Sequence, residues 1–351
     1  MAASQGDAGL GSERQIVARL LATAASAGLA ADPGAIINFY VALKSKPLML
    51  LAGPSQSGKI ALVQCLALAL TGENARQCQF MPGHAWWAGQ TGNVGLFTEA
   101  QTRLNTSKIL ALIEEAWRPE NTSRVFMACL TRISPAELEG FFSDTAFQLQ
   151  RGELMRLPTA HFSEPVPFPS NLMMIGTIDT DAGTISDAAT MPVTYVIHWG
   201  DGWMEPVGQP ISSPPNLPVE QAFLQSRIRS PRQARAKLDR VLDPFSPMLA
   251  RVSRVEAALR RHGVTALTAA RNEMFLYLAN AWDCQNLGLF DPRPAANLAL
   301  ALDWGLTTAI LPTALGTLQK SPGLKQELQT LLNGSFPRAQ AYLGQLRPLE
   351  P

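Results

Sequence analysis

The sequence predicts an α/β fold, in which a mostly parallel sheet lies between helices and is followed by an all-helical unit. Apolar runs of strand length alternate with helical patterns up to about residue 205, and almost no strand signal follows. Between these regions, residues 206–218 contain five prolines. We therefore expect a helical lead-in at 1–45, an α/β core at 46–205, a proline-rich linker at 206–218 and a helical lid domain at 219–351.

Each expected element follows from local spacing. Apolar residues recur at helical intervals in 13–29, 33–43 and 107–117, and an alanine-rich apolar stretch of helical length covers 60–70. A helix start with a capping box lies at 134–137. Short apolar runs of strand length predict strands over 47–52, 77–81 (an edge strand), 124–130, 171–178 and 193–199.

Composition excludes several classes of protein. Of the 351 residues, 46% are hydrophobic, which is ample for a core, and the net charge of +1 gives no general attraction to nucleic acid or anionic lipid. The four cysteines are far apart, and the four histidines show no metal or triad spacing. No apolar run reaches the ~18 residues of a membrane helix, and the first residues lack the pattern of a signal peptide. We expect a cytoplasmic protein without a membrane partner.

A phosphate-binding loop lies between the first predicted strand and the following helix. Such a loop directs backbone N–H groups and a Lys at phosphates, and its last Ser or Thr holds magnesium. In this chain that last position is Ile60, which has no hydroxyl. The predicted nucleotide-binding residues are Gly53, Pro54, Ser55, Gln56, Ser57, Gly58, Lys59 and Ile60, and we expect no metal ligand.

Residues 36–320 resemble the McrB-type branch of the AAA+ P-loop ATPases. The resemblance is carried by 38–43 (NFYVAL), the loop segment 51–59 (LAGPSQSGK), Pro82 with Trp86 or Trp87, the helix at 108–119, residues 139–144 (EGFFSD), residues 169–179 (PSNLMMIGTID) and the late helix at 303–316. It implies an AAA+ core followed by a helical lid. Trp86 and Trp87, which stand among glycines, are either buried anchors or the tip of a loop facing a central pore.

The same resemblance implies that the catalytic positions have changed. The acidic pair that binds magnesium and activates water falls on Thr131 and Arg132, and the sensor position falls on Asp179. The stretch 186–192 keeps Asp187 but lacks the family's arginine finger. Nearby carboxylates, Glu137, Glu139 or Asp144, would serve only in a different register.

These changes predict a degenerate AAA+ protein, a structural or regulatory subunit beside an active ATPase or nuclease in a multi-subunit, defence-type assembly. ATP or GTP would bind weakly or without magnesium, or not at all. The enzyme alternative is an active ATP- or GTP-hydrolysing motor that uses atypical residues.

A second alternative is a DNA-binding adaptor. Residues 220–261 are rich in basic side chains, which form either a solvated face or a contact surface for DNA or an acidic partner. The DNA contacts would come from Arg227, Arg229, Arg232, Arg235, Lys237 and Arg240.

Overall fold

The computed structural model describes residues 13–72, 76–82, 107–133, 168–180, 195–200, 217–242 and 247–346. These residues contain a five-stranded sheet in the order β2-β3-β4-β1-β5, with every neighbouring pair parallel. The strands are β1 (Leu48–Gly53), β2 (Cys78–Pro82), β3 (Phe126–Thr131), β4 (Leu172–Asp179) and β5 (Tyr195–His198). The predicted α/β class with a parallel sheet is confirmed, and β2 lies at an edge as expected.

Helices cover both faces of the sheet. One face packs against α1 (Glu13–Ser26), α2 (Pro33–Ser45) and α3 (Lys59–Thr71), and the other packs against α4, residues 107–117. Along β1, Met49 and Leu51 belong to the first hydrophobic cluster, whereas Leu48 and Leu50 belong to the second. This alternation follows from the two-residue period of a strand, and burial on both faces explains the continuous apolar run.

The C-terminal part is helical. Its helices are α5 (Leu217–Ser226), α6 (Pro231–Val241), α7 (Pro247–Arg261), α8 (Leu267–Asn280), α9 (Pro294–Gly305), α10 (Leu315–Lys320), α11 (Pro322–Leu332) and α12 (Pro337–Gln345). A π-helical turn (Leu306–Ile310) and a 3₁₀ turn (Leu311–Ala314) join α9 to α10. Contrary to the expectation that no apolar segment reaches the length of a membrane helix, Pro294–Lys320 in the described chain is long and apolar enough to cross a membrane, but 78% of its apolar window is buried inside the fold. Its apolar character therefore reflects core packing.

The predicted elements that fall on described residues have counterparts whose ends differ by a few residues. Helix α5 begins at Leu217, inside the stretch predicted as a linker, and Pro218 is its second residue. Proline is tolerated in the first turn of a helix, where its missing N–H has no intrahelical partner. The capping box at 134–137 and the remainder of the predicted linker lie outside the described residues.

A buried lysine joins the lead-in helices to the lid. Lys44 is inaccessible to solvent, and its Nζ lies 2.6 Å from the Oε1 atom of Glu13 in α1. The same Nζ donates to the carbonyl oxygens of Asn280 (3.2 Å) and Trp282 (3.1 Å) at the end of α8. Since a buried charge is tolerated only when it is paired and hydrogen-bonded, these contacts require α1, α2 and α8 to meet at one point.

A second buried cation extends this junction to the sheet. Arg227, which follows α5, donates to the carbonyl of Lys44 (3.0 Å) and to the carbonyl of Ser170 (2.7 Å). Burial lowers the pKa of its guanidinium to about 9. Because Ser170 precedes β4, Arg227 connects the first lid helix to both α2 and the sheet.

Replacing Lys44 by Met should lower the free energy of unfolding by about 3 to 5 kcal/mol, because Glu13 and two buried carbonyls would lose their partner. Urea denaturation followed by circular dichroism measures this change. Lys320→Met, the same substitution at an exposed lid position, should cost no more than about 0.5 kcal/mol. Equal midpoints for the two variants would contradict the assigned role of Lys44.

Candidate functional site

The candidate site lies at the carboxyl ends of the strands, where parallel α/β sheets characteristically bind ligands. Strand β4 lies between β1 and β3, and its last residue, Asp179, is in register with Gly53, the last residue of β1. Strand β3 ends at Thr131, on the other side of β4. The sheet order therefore brings Asp179 beside the loop that follows β1, with the end of β3 on the far side of β4.

The loop has the backbone geometry of an anion-binding turn. Gln56 (φ 59°) and Gly58 (φ 86°) are in the left-handed region, and α3 begins directly afterwards at Lys59. No side chain caps the amino end of α3. The first N–H groups of a helix have no intrahelical acceptor, so the positive end of the α3 dipole is available to an anion.

Position 53 must be glycine because the backbone of Trp199 approaches it too closely to leave room for a side chain. A Cβ atom at this position would lie 1.8 Å from the carbonyl oxygen of Trp199. Trp199 is buried, its N–H donates to the carbonyl of Ala52 (2.7 Å), and its indole N–H donates to the carbonyl of Ser57 (2.8 Å). Trp199 thus holds the loop from both sides of Gly53.

Lys59 is folded back onto the loop. Its side chain is only 4% exposed, and its Nζ donates to the carbonyls of Gly53 (2.9 Å) and Pro54 (2.5 Å) and to the hydroxyl of Ser57 (3.3 Å). The fourth contact is an ion pair, 3.0 Å long, with the Oδ1 atom of Asp179. An anion entering the loop would have to compete with this carboxylate for the ammonium group.

Arg132 is directed to the same place by a turn at the end of β3. Its φ of 56° is unusual for a residue other than glycine. The turn is held because Arg132 N–H donates to Thr177 Oγ1 (2.8 Å) and Ile133 N–H donates to the Thr177 carbonyl (2.8 Å). The guanidinium Nε lies 3.8 Å from Asp179 Oδ2, and the side chain is 47% exposed.

Together these groups surround a cavity of about 250 Å³. Its walls are residues 56–61 of the loop and the first turn of α3, together with Arg132, Thr177 and Asp179. Among the described residues, its ionisable side chains are two cations, Lys59 and Arg132, and one carboxylate, Asp179. Backbone strain is concentrated here, since two of the three non-glycine residues with positive φ in the described chain, Gln56 and Arg132, line this cavity.

The predicted site residues divide into two groups. Lys59, Ile60, Arg132 and Asp179 line the cavity, as do Gln56, Ser57 and Gly58. Gly53 forms the start of the loop, whereas Pro54 and Ser55 are exposed and do not line the cavity. Thr131 does not line it either, because its hydroxyl is directed to the carbonyl of Met81 on β2, 3.5 Å away.

Several predicted features fall outside the described residues. These are the finger stretch at 186–192 with Asp187, the tryptophans Trp86 and Trp87, and the alternative carboxylates Glu137, Glu139 and Asp144.

Two contributors are not identified by sequence reasoning. Thr177 is a fully buried polar residue within an apolar strand, and that anomaly is the signal that could have identified it. Trp199 has no comparable signal, since its role depends on the backbone of Gly53 lying against it.

Magnesium held by protein side chains does not fit the residues present. Magnesium requires oxygen ligands, whereas Ile60 offers only methyl and methylene groups and Arg132 offers a second positive charge. Asp179, the one carboxylate in the cavity wall formed by the described residues, is already paired with Lys59. Phosphate does fit, because the uncapped helix end and the two cations are the groups that bind it.

The basic stretch of the lid is used in two ways. Arg227 is buried at the junction with the sheet, and Lys237 donates to the carbonyl of Asp283 (2.5 Å), so both side chains serve packing. Arg229, Arg232, Arg235 and Arg240 are exposed, and the last three share α6 with an exposed acidic residue, Asp239. The surface that remains available to DNA is therefore smaller and less uniformly positive than the sequence suggests.

His198 lies at the end of β5, in register with Ala52 beside the loop. Its ring packs edge-on against Tyr342 of α12, with 5.0 Å between the ring centroids. Its Nε2 atom is buried without a hydrogen-bond partner in the described chain. Burial lowers the pKa of this imidazole to about 4.

No protein-family model matches the chain, and a search of curated proteins finds no similar sequence.

Gly53→Ala should destabilise the fold by about 1 to 3 kcal/mol or more, because the added methyl group would collide with backbone that cannot move cheaply. Gly200→Ala is a matched control one residue beyond Trp199, since a Cβ atom there meets no atom of the described residues within 4 Å. Thermal unfolding compares the two variants, and equal melting temperatures would show that the loop does not require this close contact.

Stability should depend on pH through His198. The unfolded imidazole takes a proton near pH 6.5, whereas the folded one resists protonation down to about pH 4. Unfolding therefore takes up a proton between these values, and stability is lost as the pH falls from about 6.5 towards 4. At pH 5 the loss should be about 1 to 2 kcal/mol.

His198→Phe should remove this part of the pH dependence. The measurement is the difference in unfolding free energy between pH 7 and pH 5 for each protein, so that contributions from other groups cancel. An identical difference in the wild type and the variant would contradict the assignment.

Proposed function

We propose that this chain is a degenerate, McrB-like AAA+ protein that binds a nucleotide through its phosphates without hydrolysing it. The observation that carries the proposal is the end of β3. Where the resemblance places two carboxylates, the chain has Thr131 and Arg132, and the Arg132 side chain lines the phosphate cavity with Lys59. A positive charge has thus replaced a negative one at the point where the acidic pair would bind the metal ion and activate water.

The side chains at the cavity support the absence of nucleotide hydrolysis. Phosphoryl transfer in P-loop proteins depends on a metal ion, a residue that positions water and a cation that stabilises the transition state. Ile60 offers no metal ligand, and Thr131 faces β2. Asp179 is shared between Lys59 and Arg132 and is not free to act as a base.

Binding is supported by the groups that remain. The loop backbone, the open amino end of α3 and Lys59 form the phosphate-recognition part of a P-loop site. The sheet order adds support, because β4 lies between the loop strand and the acidic-motif strand and places Asp179 where the resemblance expects the sensor. Either ATP or GTP is compatible with recognition through phosphates.

A structural or regulatory role follows from the same features. The lid is joined to the lead-in helices and the sheet by buried ion-pair and hydrogen-bond contacts at Lys44 and Arg227. A subunit that retains a bound nucleotide and a firmly seated lid suits a role as a fixed neighbour of an active ATPase or nuclease in a cytoplasmic, defence-type assembly.

The enzyme alternative has one specific candidate residue. Among the described residues that line the cavity, Asp179 is the only one with a carboxylate. An active site would therefore have to release Asp179 from Lys59 and use it for metal binding or water activation.

ATP or GTP should bind to the purified chain with no turnover above background, and Lys59→Ala should weaken binding by about tenfold or more, since charge-assisted hydrogen bonds to phosphate would be lost. Isothermal titration calorimetry measures affinity, and phosphate release measures turnover. Lys320→Ala, on the lid surface, is the control and should bind like the wild type. Magnesium-dependent turnover that disappears in both Lys59→Ala and Asp179→Asn would contradict the proposal and establish the enzyme alternative.

A further inference from the structure

Arg132 has one contact through its side chain and another through its backbone, and the two have different consequences. The backbone N–H donates to Thr177 and holds the turn at the end of β3. The guanidinium is held less closely than the backbone. Its ion pair with Asp179 in the described chain has a separation of 3.8 Å, and the side chain is half exposed. The fold therefore uses the backbone of Arg132 and leaves its charged group accessible at the cavity.

The charges of the cavity show what that group can do. In a P-loop site, the phosphates of a nucleotide are neutralised by the loop Lys and by magnesium. Here the position of the metal ligand is Ile60, and a guanidinium lies on the wall of the cavity. A guanidinium is permanently positive, offers several N–H donors in a plane, and binds phosphate oxygens in pairs.

The guanidinium and a magnesium ion would also repel each other. The magnesium complex of a triphosphate carries less negative charge than the free triphosphate and brings its own positive charge close to Arg132. The free triphosphate should therefore be the better ligand for this cavity.

We infer that the cavity is a metal-free polyphosphate site, in which Arg132 takes the place of magnesium and Asp179 is an internal anion that the ligand displaces. This inference rests on the proposed function and specifies the ligand class as a nucleoside di- or triphosphate without bound metal.

Asp179 has the geometry of a competing anion. Its two carboxylate oxygens face the two cations, with Oδ1 at 3.0 Å from Lys59 Nζ and Oδ2 at 3.8 Å from Arg132 Nε. It is the last residue of β4 and is paired in register with Gly53, so it lies at the entrance of the phosphate loop. With no ligand bound, it neutralises one of the two positive charges, and a phosphate that binds both cations must take its place.

The test measures binding of ATP, tripolyphosphate and adenosine to the full chain by calorimetry, in EDTA and in excess magnesium. ATP should bind in EDTA at least as tightly as in magnesium. Tripolyphosphate should also bind in EDTA, and adenosine should bind much more weakly than either. ATP binding with no detectable binding of tripolyphosphate would overturn recognition through the phosphates, as would adenosine binding as tightly as ATP.

Variants separate Arg132 from the rest of the loop. Arg132→Gln should weaken ATP binding in EDTA by about tenfold. Arg132→Lys should restore much of the lost affinity, because Lys supplies the positive charge although it lacks the paired N–H donors of Arg. Asp179→Asn should strengthen binding a few-fold by removing the competing anion. Arg293→Gln, which removes an exposed arginine paired with Asp291 in the lid, is the matched control and should bind like the wild type. All variants should keep the melting temperature of the wild type to within a few degrees.

The outcomes distinguish this inference from the function on which it rests. Binding that requires magnesium and is unchanged in Arg132→Gln overturns the metal-free site and leaves nucleotide binding intact. Absence of any ATP or GTP binding, with or without magnesium, overturns both.

Discussion

The burial of the Lys44 ammonium is the constraint on which the arrangement of the molecule depends. A charge without access to water must be surrounded by acceptors, and these come from two separate parts of the chain: Glu13 in α1, and Asn280 with Trp282 at the end of α8. Because one helix could not supply all of these acceptors, the C-terminal helices must pack against α1 and α2 for the buried charge to be tolerated. Arg227 continues the same junction towards β4, and the sheet that bears the phosphate loop is thereby held against the lid.

The cations of the cavity contrast with those of this junction. Lys44 and Arg227 are buried and bonded to main-chain carbonyls, which no ligand can displace without opening the fold. Lys59 is also buried and bonded to two loop carbonyls, but it shares Asp179 with Arg132, whose side chain is half exposed at the cavity. Of these four cations, Arg132 is therefore the one whose charge the fold does not bury.

Much of the fold follows from local patterns, and part of the site does not. The strands, the phosphate loop and the helix after it depend on residues close together in the chain, so spacing alone predicts them. Thr131 and Arg132 were both expected at the site, but the turn after β3, in which Arg132 has a φ of 56°, places only the Arg132 side chain at the cavity. Arg227 likewise belongs to a basic stretch that resembles a solvated face, yet its neighbours in space bury it.

The sequence by itself determined that a buried strand is followed by a glycine-containing turn and a helix, that Ile60 has no hydroxyl for a metal ion, and that Arg132 stands at the end of the strand predicted at 124–130. Only the tertiary structure decided that Asp179 lies opposite Gly53 and forms an ion pair with Lys59, and that the indole N–H of Trp199 donates to the loop carbonyl of Ser57. The physical reason is that sheet order and register are set by packing between segments far apart in the chain. Strand β4 reaches its place between β1 and β3 through contacts that no local pattern encodes.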